Sequence, residues 1–197
     1  PLLKTRGVPG THDINHMLNF IKKINSKKFK LTRLPKFNKA IDDRFSKTIW
    51  YKVNSRPDIV IFEGWCVGAK PESQKTLNKA VNLMEKNDDK KLIWRKYVNN
   101  QLKKEYKELY SKLDCLLFLR AQSFRLLQKW RIIQEKKLKV KTKSSKAKQK
   151  IMTKKEVLNF MQTYQRITQN MFKNAPKYAS IVLKLNSNHQ INSVKYN

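Results

Sequence analysis

Three groups of side chains in this sequence are of types that handle anionic oxygens. Arg6, His12 and Asp13 fall in the segment RGVPGTHD, punctuated by Gly7, Pro9 and Gly10. An arginine grips a carboxylate or phosphate through two parallel N–H···O bonds. A histidine beside it can hydrogen-bond a hydroxyl, and Asp13 can either join them or cap the helix that follows. Lys39, Asp42, Asp43 and Arg44 form a compact charged cluster in NKAIDDR. It reads either as a solvated loop or as a wall that takes an acid's carboxylate on Lys39 or Arg44 and its hydroxyls on the aspartates. Glu63 follows the apolar run Asp58–Phe62 and precedes Gly64. A carboxylate at the tip of a strand can face Mg2+ or its water shell. Arg120, Arg125 and Arg131 follow a second apolar run, Cys115–Leu119. His16 and His189 read as surface residues without a role.

The elements that must position these groups can be read from periodicity. Ile14, Met17, Leu18, Ile21 and Ile24 recur at helical spacing behind Thr11 and Asp13. Residues 29–56 are mixed. The runs 58–62 and 115–119 are short, apolar and rich in β-branched or large residues, as expected of buried parallel strands. Helices are expected over 75–86, over 91–113 with a Glu108–Lys112 pair, over about 122–136 and near 153–173. Ser180–Leu185 and Ile191–Tyr196 alternate as two strands joined by the turn 186–189. Apolar strands alternating with helices predict an α/β fold with a parallel sheet. Ligands in such sheets bind outside the carboxyl ends of the strands, which puts Glu63 and the residues after Leu119 at the functional edge.

Composition bounds the partners. The 197 residues, 40% hydrophobic and 10% aromatic, suffice for a packed core. The net charge of +31 invites a polyanion. The basic residues are spread along the chain, however, and lysine dominates them, so nucleic acid is expected to be attracted only non-specifically. The lysine-rich stretch 136–150 lacks the interleaved aromatics that stack on bases. No apolar run approaches the about 18–20 residues that span a bilayer. Cys66 and Cys115 stand without CxxC spacing and are expected to be buried free thiols, as in a reducing cytoplasm.

Four segments in order, KTRGVPGTHD at 4–13, LPKFNKAIDDR at 34–44, PDIVIFEGWCVGA at 57–69 and LDCLLFLRAQSFRLLQKWRIIQE at 113–135, together with YQRIT at 164–168, resemble the glycerate kinase group of P-loop kinases. These are relatives of pantothenate kinase, uridine kinase and phosphoribulokinase. The resemblance implies a P-loop sheet flanked by helices and closed by a C-terminal β-hairpin. It implies transfer of a phosphoryl group from ATP, with Mg2+, to a hydroxyl of a small acid such as glycerate. Glu63 and Arg131 become the expected catalytic residues, with Glu63 holding Mg2+ through water. Arg6, His12, Asp13, Lys39, Asp42, Asp43 and Arg44 become the substrate wall. Arg120, Arg125 and Arg131 become the arginines of a lid, with Arg166 a weaker candidate and residues 136–152 a mobile lysine-rich part of it. In this family a Gly-Lys-Ser/Thr phosphate loop and an Asp-Asp-Phe-Tyr-like segment lie upstream of the RGxPGTHD motif. Neither occurs here, so the chain reads as a single kinase domain lacking its first strand or strands. Asn38 also departs from the Asp of the family's F-D-K-A pattern. Two other readings are a kinase for a different alcohol, such as a nucleoside, and a nucleic-acid-binding protein on a decayed kinase fold.

Overall fold

A computed structural model describes residues 6–38, 43–143 and 151–197 of the chain. Lys39, Asp42 and residues 144–150 of the lysine-rich stretch lie outside the described residues. Helix α1, Ile14–Ile24, starts at Asp13, whose carboxylate accepts from the His16 amide at 3.0 Å. Of the apolar positions its spacing marks, Ile14, Leu18 and Ile24 are buried and Met17 and Ile21 half-buried, and Phe20 is buried beside them. The mixed segment that follows folds into two small antiparallel ribbons. Strand β1, Thr32–Leu34, pairs with β4, Tyr51–Val53, and β2, Phe37–Asn38, pairs with β3, Asp43–Arg44.

The expected strand over 58–62 is not formed. The segment lies outside any helix or strand, with Ile59 80% and Ile61 88% exposed. Its sequence suits a buried strand, but a strand is made by its neighbour's hydrogen bonds, and none of the described strands pairs with it. Glu63 is consequently an exposed residue at the end of this segment rather than the tip of a buried strand.

The helix expected over 75–86 is two short ones, α2, Gln74–Asn78, and α3, Leu83–Asn87. The break has a cause in the fold. Asn82 turns out to cap α3, accepting from the Glu85 amide at 2.9 Å. The Arg166 guanidinium donates to the Lys79 carbonyl and to that of Thr76, which also takes the Lys79 amide. The helix expected over 91–113 is likewise broken at Lys104, into α4, Ile93–Lys103, and α5, Glu105–Tyr110.

Strand β5, Leu117–Arg120, pairs in parallel with β6, Ile181–Leu185, and β6 pairs antiparallel with β7, Ile191–Tyr196. The C-terminal hairpin is thus as expected, and it joins the rest of the protein through one parallel ladder. Between β5 and β6 run α6, Phe124–Lys141, capped by Ser123, and α7, Lys154–Asn174, opened by a Thr153–Glu156 capping box. Helix α6 continues to Lys141 rather than ending at Lys136. The core gathers α1, α4, α5, α7 and the inner face of the sheet around Val98, Leu109, Phe118, Ile167 and Val182. Leu109 and Val157 are completely buried, and each such side chain contributes about 1.5–3 kcal/mol.

A buried ionic knot fastens α7 to the 72–95 region. Arg166 donates to both carboxylate oxygens of Glu85, at 2.8 and 2.7 Å, and to Glu72 at 3.4 Å. Arg95 donates to Asp89 at 2.9 Å and to the Leu77, Glu85 and Asp89 carbonyls. Arg166, a weaker lid candidate on sequence, is therefore committed to holding elements together. Cys66 is buried as expected, but Cys115 is exposed, two residues before Leu117 and on the same alternation that leaves Leu117 and Leu119 exposed while Phe118 is buried.

Candidate active site

The loop 6–12 is closed on itself and then tied down by tyrosines. The Thr11 hydroxyl accepts from the Gly7 amide and donates to the Val8 carbonyl, both at 2.7 Å. Val8 and Pro9 are buried beneath it. The Tyr106 hydroxyl accepts from the Gly10 amide at 3.0 Å, and the Tyr97 hydroxyl donates to the Gly10 carbonyl at 3.1 Å. Gly10 has φ +95°, and a Cβ there would stand 2.5 Å from the Tyr97 ring. Backbone geometry and close approach both require glycine at this point.

His12 sits at the loop's end with Nδ1 2.7 Å from the Tyr106 hydroxyl. Desolvation by its packed surroundings, and next the charge of Arg6, lower the His12 pKa from 6.5. The side chain nonetheless reaches solvent, so it is a neutral group on an accessible surface. Arg6 lies with its guanidinium 3.7 Å from the centre of the Phe37 ring, a contact that orients it without neutralising it. Asp13 caps α1, the second of the two roles open to it, and also accepts from Arg44 at 2.9 Å, which holds its pKa below the usual carboxylate range. Arg44 thereby joins the motif loop to β3. Asp43, by contrast, accepts from the Arg44 amide next to it.

Opposite this loop stands Tyr164 of α7. Its ring packs at 5.1 Å against Trp65 and at 5.4 Å against Phe160, and its hydroxyl lies under Gly7. Burial pushes its pKa up to about 12, while Arg131 and Arg6 both pull the other way. Those two arginines thus share one electrostatic neighbourhood although they come from opposite parts of the sequence. Arg131 donates to Gln134 at 2.7 Å and pairs with buried Glu135 one turn on. That pairing aims it along α6. Arg120 ends β5, half-buried, and Arg125 is exposed on the first turn of α6.

The segment 63–69 completes the surface. Trp65 donates to Thr168 at 2.8 Å. The Cys66 and Gly68 carbonyls accept from Tyr110 at 2.7 Å and Tyr178 at 2.8 Å. Glu63 has no ion-pair partner among the described residues. Its carboxylate is open to an incoming cation, although no three His, Cys, Asp or Glu side chains among the described residues gather to hold a metal by themselves. One carboxylate with the rest of the shell from water and phosphate is a normal magnesium arrangement. The structure therefore places Arg6 within electrostatic reach of His12, ties Asp13 to Arg44 at one side, and leaves Arg131 paired along α6. Tyr97, Tyr106, Tyr164 and Trp65 were not singled out by sequence, where Tyr106 and Tyr164 count only as apolar helix positions.

The chain is similar in sequence to an uncharacterised kinase, mug58, of Schizosaccharomyces pombe, at 31% identity over 170 residues, which cover 83% of this chain and 58% of the relative. It is 28% identical over 109 residues to a chloroplastic D-glycerate 3-kinase of Arabidopsis thaliana, covering 50% of this chain and 24% of that one. In structure it matches a D-glycerate 3-kinase from Cryptococcus neoformans, with a TM-score of 0.79 and 24% identity, over the whole of this chain and 71% of that one. It matches the YGR205w protein with a TM-score of 0.72 and 25% identity, over 98% of this chain and 67% of that one. No protein-family profile matches. The chain spans little more than half the length of its fission-yeast relative. These likenesses bear out the resemblance to glycerate kinase-type kinases and the α/β fold.

Proposed function

We propose that the whole protein is an ATP-dependent kinase that phosphorylates a hydroxyl of a small hydroxy acid, with glycerate the first candidate. The observation that carries this reading is the tyrosine-tied loop 6–12, which presents Arg6 and His12 together on an accessible surface. An arginine and a hydrogen-bonding imidazole side by side suit a substrate that carries a carboxylate and a hydroxyl. Phosphoryl transfer asks the protein mainly to position its reactants and neutralise charge.

The residues take the following roles. Arg6, with Lys39, Asp42, Asp43 and Arg44, binds the acid, and His12 and Asp13 border it. Glu63 takes Mg2+ through water, which supplies charge neutralisation on the ATP phosphates when bound. Arg131 approaches the transferring group from α6, with Arg120 and Arg125 nearer the ATP phosphates. Helix α6 and the lysine-rich residues 136–152 form the lid. The parallel β5–β6 pair belongs to a P-loop type sheet. The unpaired thiols of Cys66 and Cys115 suit a cytoplasmic protein, and no helix among the described residues is long and apolar enough to cross a membrane.

The test is ATP-dependent phosphorylation of D-glycerate by the whole protein, with Glu63→Gln and Arg131→Ala alongside. Activity that each substitution cuts by roughly a hundredfold or more supports the reading and both assignments. Activity untouched by the substitutions keeps the kinase and removes these two residues from its site. ATP binding without glycerate turnover moves the search to other alcohols, and absence of ATP binding overturns the reading.

A further inference from the structure

We propose that Tyr106 is a positioning residue that locks His12 in its Nε2–H tautomer, so that the imidazole presents a neutral N–H donor to an acceptor oxygen of the substrate. The lock is a property of the fold, and only its use on a substrate rests on the kinase reading above.

A phenolic hydroxyl has one hydrogen to give and two lone pairs to receive with. Two hydrogen-bonding contacts of the Tyr106 hydroxyl stand among the described residues, the Gly10 amide at 3.0 Å and His12 Nδ1 at 2.7 Å. The amide can only donate, so it takes a lone pair of the oxygen and offers nothing to the hydroxyl's own proton. Nδ1 is the one acceptor within reach of that proton among these contacts, and a buried hydroxyl gives its proton to the acceptor it has. Burial keeps that proton in place, since the Tyr106 pKa is pushed up to about 12. Nδ1 is then the acceptor, and in a neutral imidazole the hydrogen must sit on Nε2.

The geometry gives this arrangement little freedom. Tyr106 is 3% exposed, in the core beside α1, and its ring meets that of Tyr110 edge-on at 5.9 Å. Its hydroxyl therefore cannot follow the histidine if the ring turns. The His12 ring stands at 65° to that of Tyr106, with centroids 6.1 Å apart, and its side chain reaches solvent. A neutral donor there adds hydrogen-bonding direction next to Arg6 without adding a second positive charge. That suits a carboxylate or hydroxyl oxygen already held by an arginine.

The test is 15N NMR of histidine-labelled protein. His12 is assigned by the loss of its signals in His12→Gln, and two-bond 15N–1H correlations separate a protonated ring nitrogen from a bare one. The expected spectrum shows bare Nδ1 and protonated Nε2 for neutral His12. Tyr106→Phe, which keeps the ring and removes the hydroxyl, should give a mixture of tautomers. Tyr97→Phe, which removes the other tyrosine tether on Gly10, should leave the tautomer intact. In kinetics, Tyr106→Phe should raise KM for glycerate roughly tenfold with a smaller effect on kcat. Protonated Nδ1 in the unaltered protein, or an unchanged Nε2–H tautomer in Tyr106→Phe, overturns the lock. The unaltered protein's spectrum is decisive by itself should Tyr106→Phe fail to fold. The expected tautomers in a protein that does not phosphorylate glycerate would uphold the lock and count against the kinase reading alone.

Discussion

A methyl group on Gly7 would stand 2.5 Å from the hydroxyl oxygen of Tyr164. The glycine is what lets the motif loop lie on this tyrosine of α7. Tyr164 cannot retreat, because Trp65 and Phe160 hold its ring. Gly7→Ala should therefore destabilise the protein by about 1–3 kcal/mol, and Tyr164→Phe on that background should recover part of the loss. Chemical denaturation of the two single variants and the double variant measures the coupling. Additive effects would mean that the two residues do not press on each other.

Acidification should loosen the loop around His12. The folded state lowers the pKa of this ring from 6.5, so over the window just below 6.5 the unfolded chain binds more protons than the folded one. Stability from this residue is complete above 6.5 and is lost as the pH falls through the lowered value. Glu72 works in the opposite sense. Its pKa is raised by burial, against the pull of Arg166, so its effect favours the folded state at acid pH and fades as the pH rises above 4.5. Thermal melts against pH for the protein and for His12→Gln should differ in the window below 6.5, the variant being the less sensitive to acid.

Arg166 should prove a residue of stability rather than of chemistry. Glu85 is 0% exposed and holds it through two oxygens. Removing one partner leaves the other as a buried uncompensated charge, which costs about 3–5 kcal/mol. Glu85→Ala and Arg166→Ala should both fall in that range by urea denaturation. A lid arginine would instead show an unchanged midpoint with a lowered kcat.

The two cysteines should differ sharply towards a thiol reagent. Cys66 is buried and its pKa is pushed up to about 12, whereas Cys115 is exposed. Because the thiolate is the reactive form, the native chain should take up one equivalent of label, lost in Cys115→Ser, and a second only on unfolding.

Much of the fold is legible in local pattern. Helices α1 and α7 show an apolar stripe and a cap, and β6 and β7 show alternation around an Asn-rich turn. Other parts depend on what lies elsewhere in the chain. Ile59 and Ile61 belong to a sequence that suits a strand, but pairing is a property of two segments and only one can be read locally. The breaks at Lys79–Asn82 and Lys104 carry no glycine or proline. At the first, Asn82 caps a new helix and Arg166, far along the chain, binds the carbonyls of Thr76 and Lys79, partners that no local pattern announces. The site divides in the same way. Its loop announces itself through Gly7, Pro9 and Gly10. Tyr106 and Tyr164, on α5 and α7, occupy positions where an apolar side chain would have served the periodicity equally well, and Tyr97 stands on the exposed side of α4.

The indole of Trp130 stacks on His189 with centroids 4.0 Å apart and donates to the Ser187 carbonyl at 3.0 Å, joining α6 to the β6–β7 turn. Trp130 is the residue before Arg131, so any movement of α6 away from the hairpin, carrying that arginine with it, must peel the indole from the imidazole. With the other three of the four tryptophans replaced by phenylalanine, the emission of Trp130 would act as a built-in optical gauge. It would register in real time, without an added dye, when α6 leaves the hairpin and when it settles back.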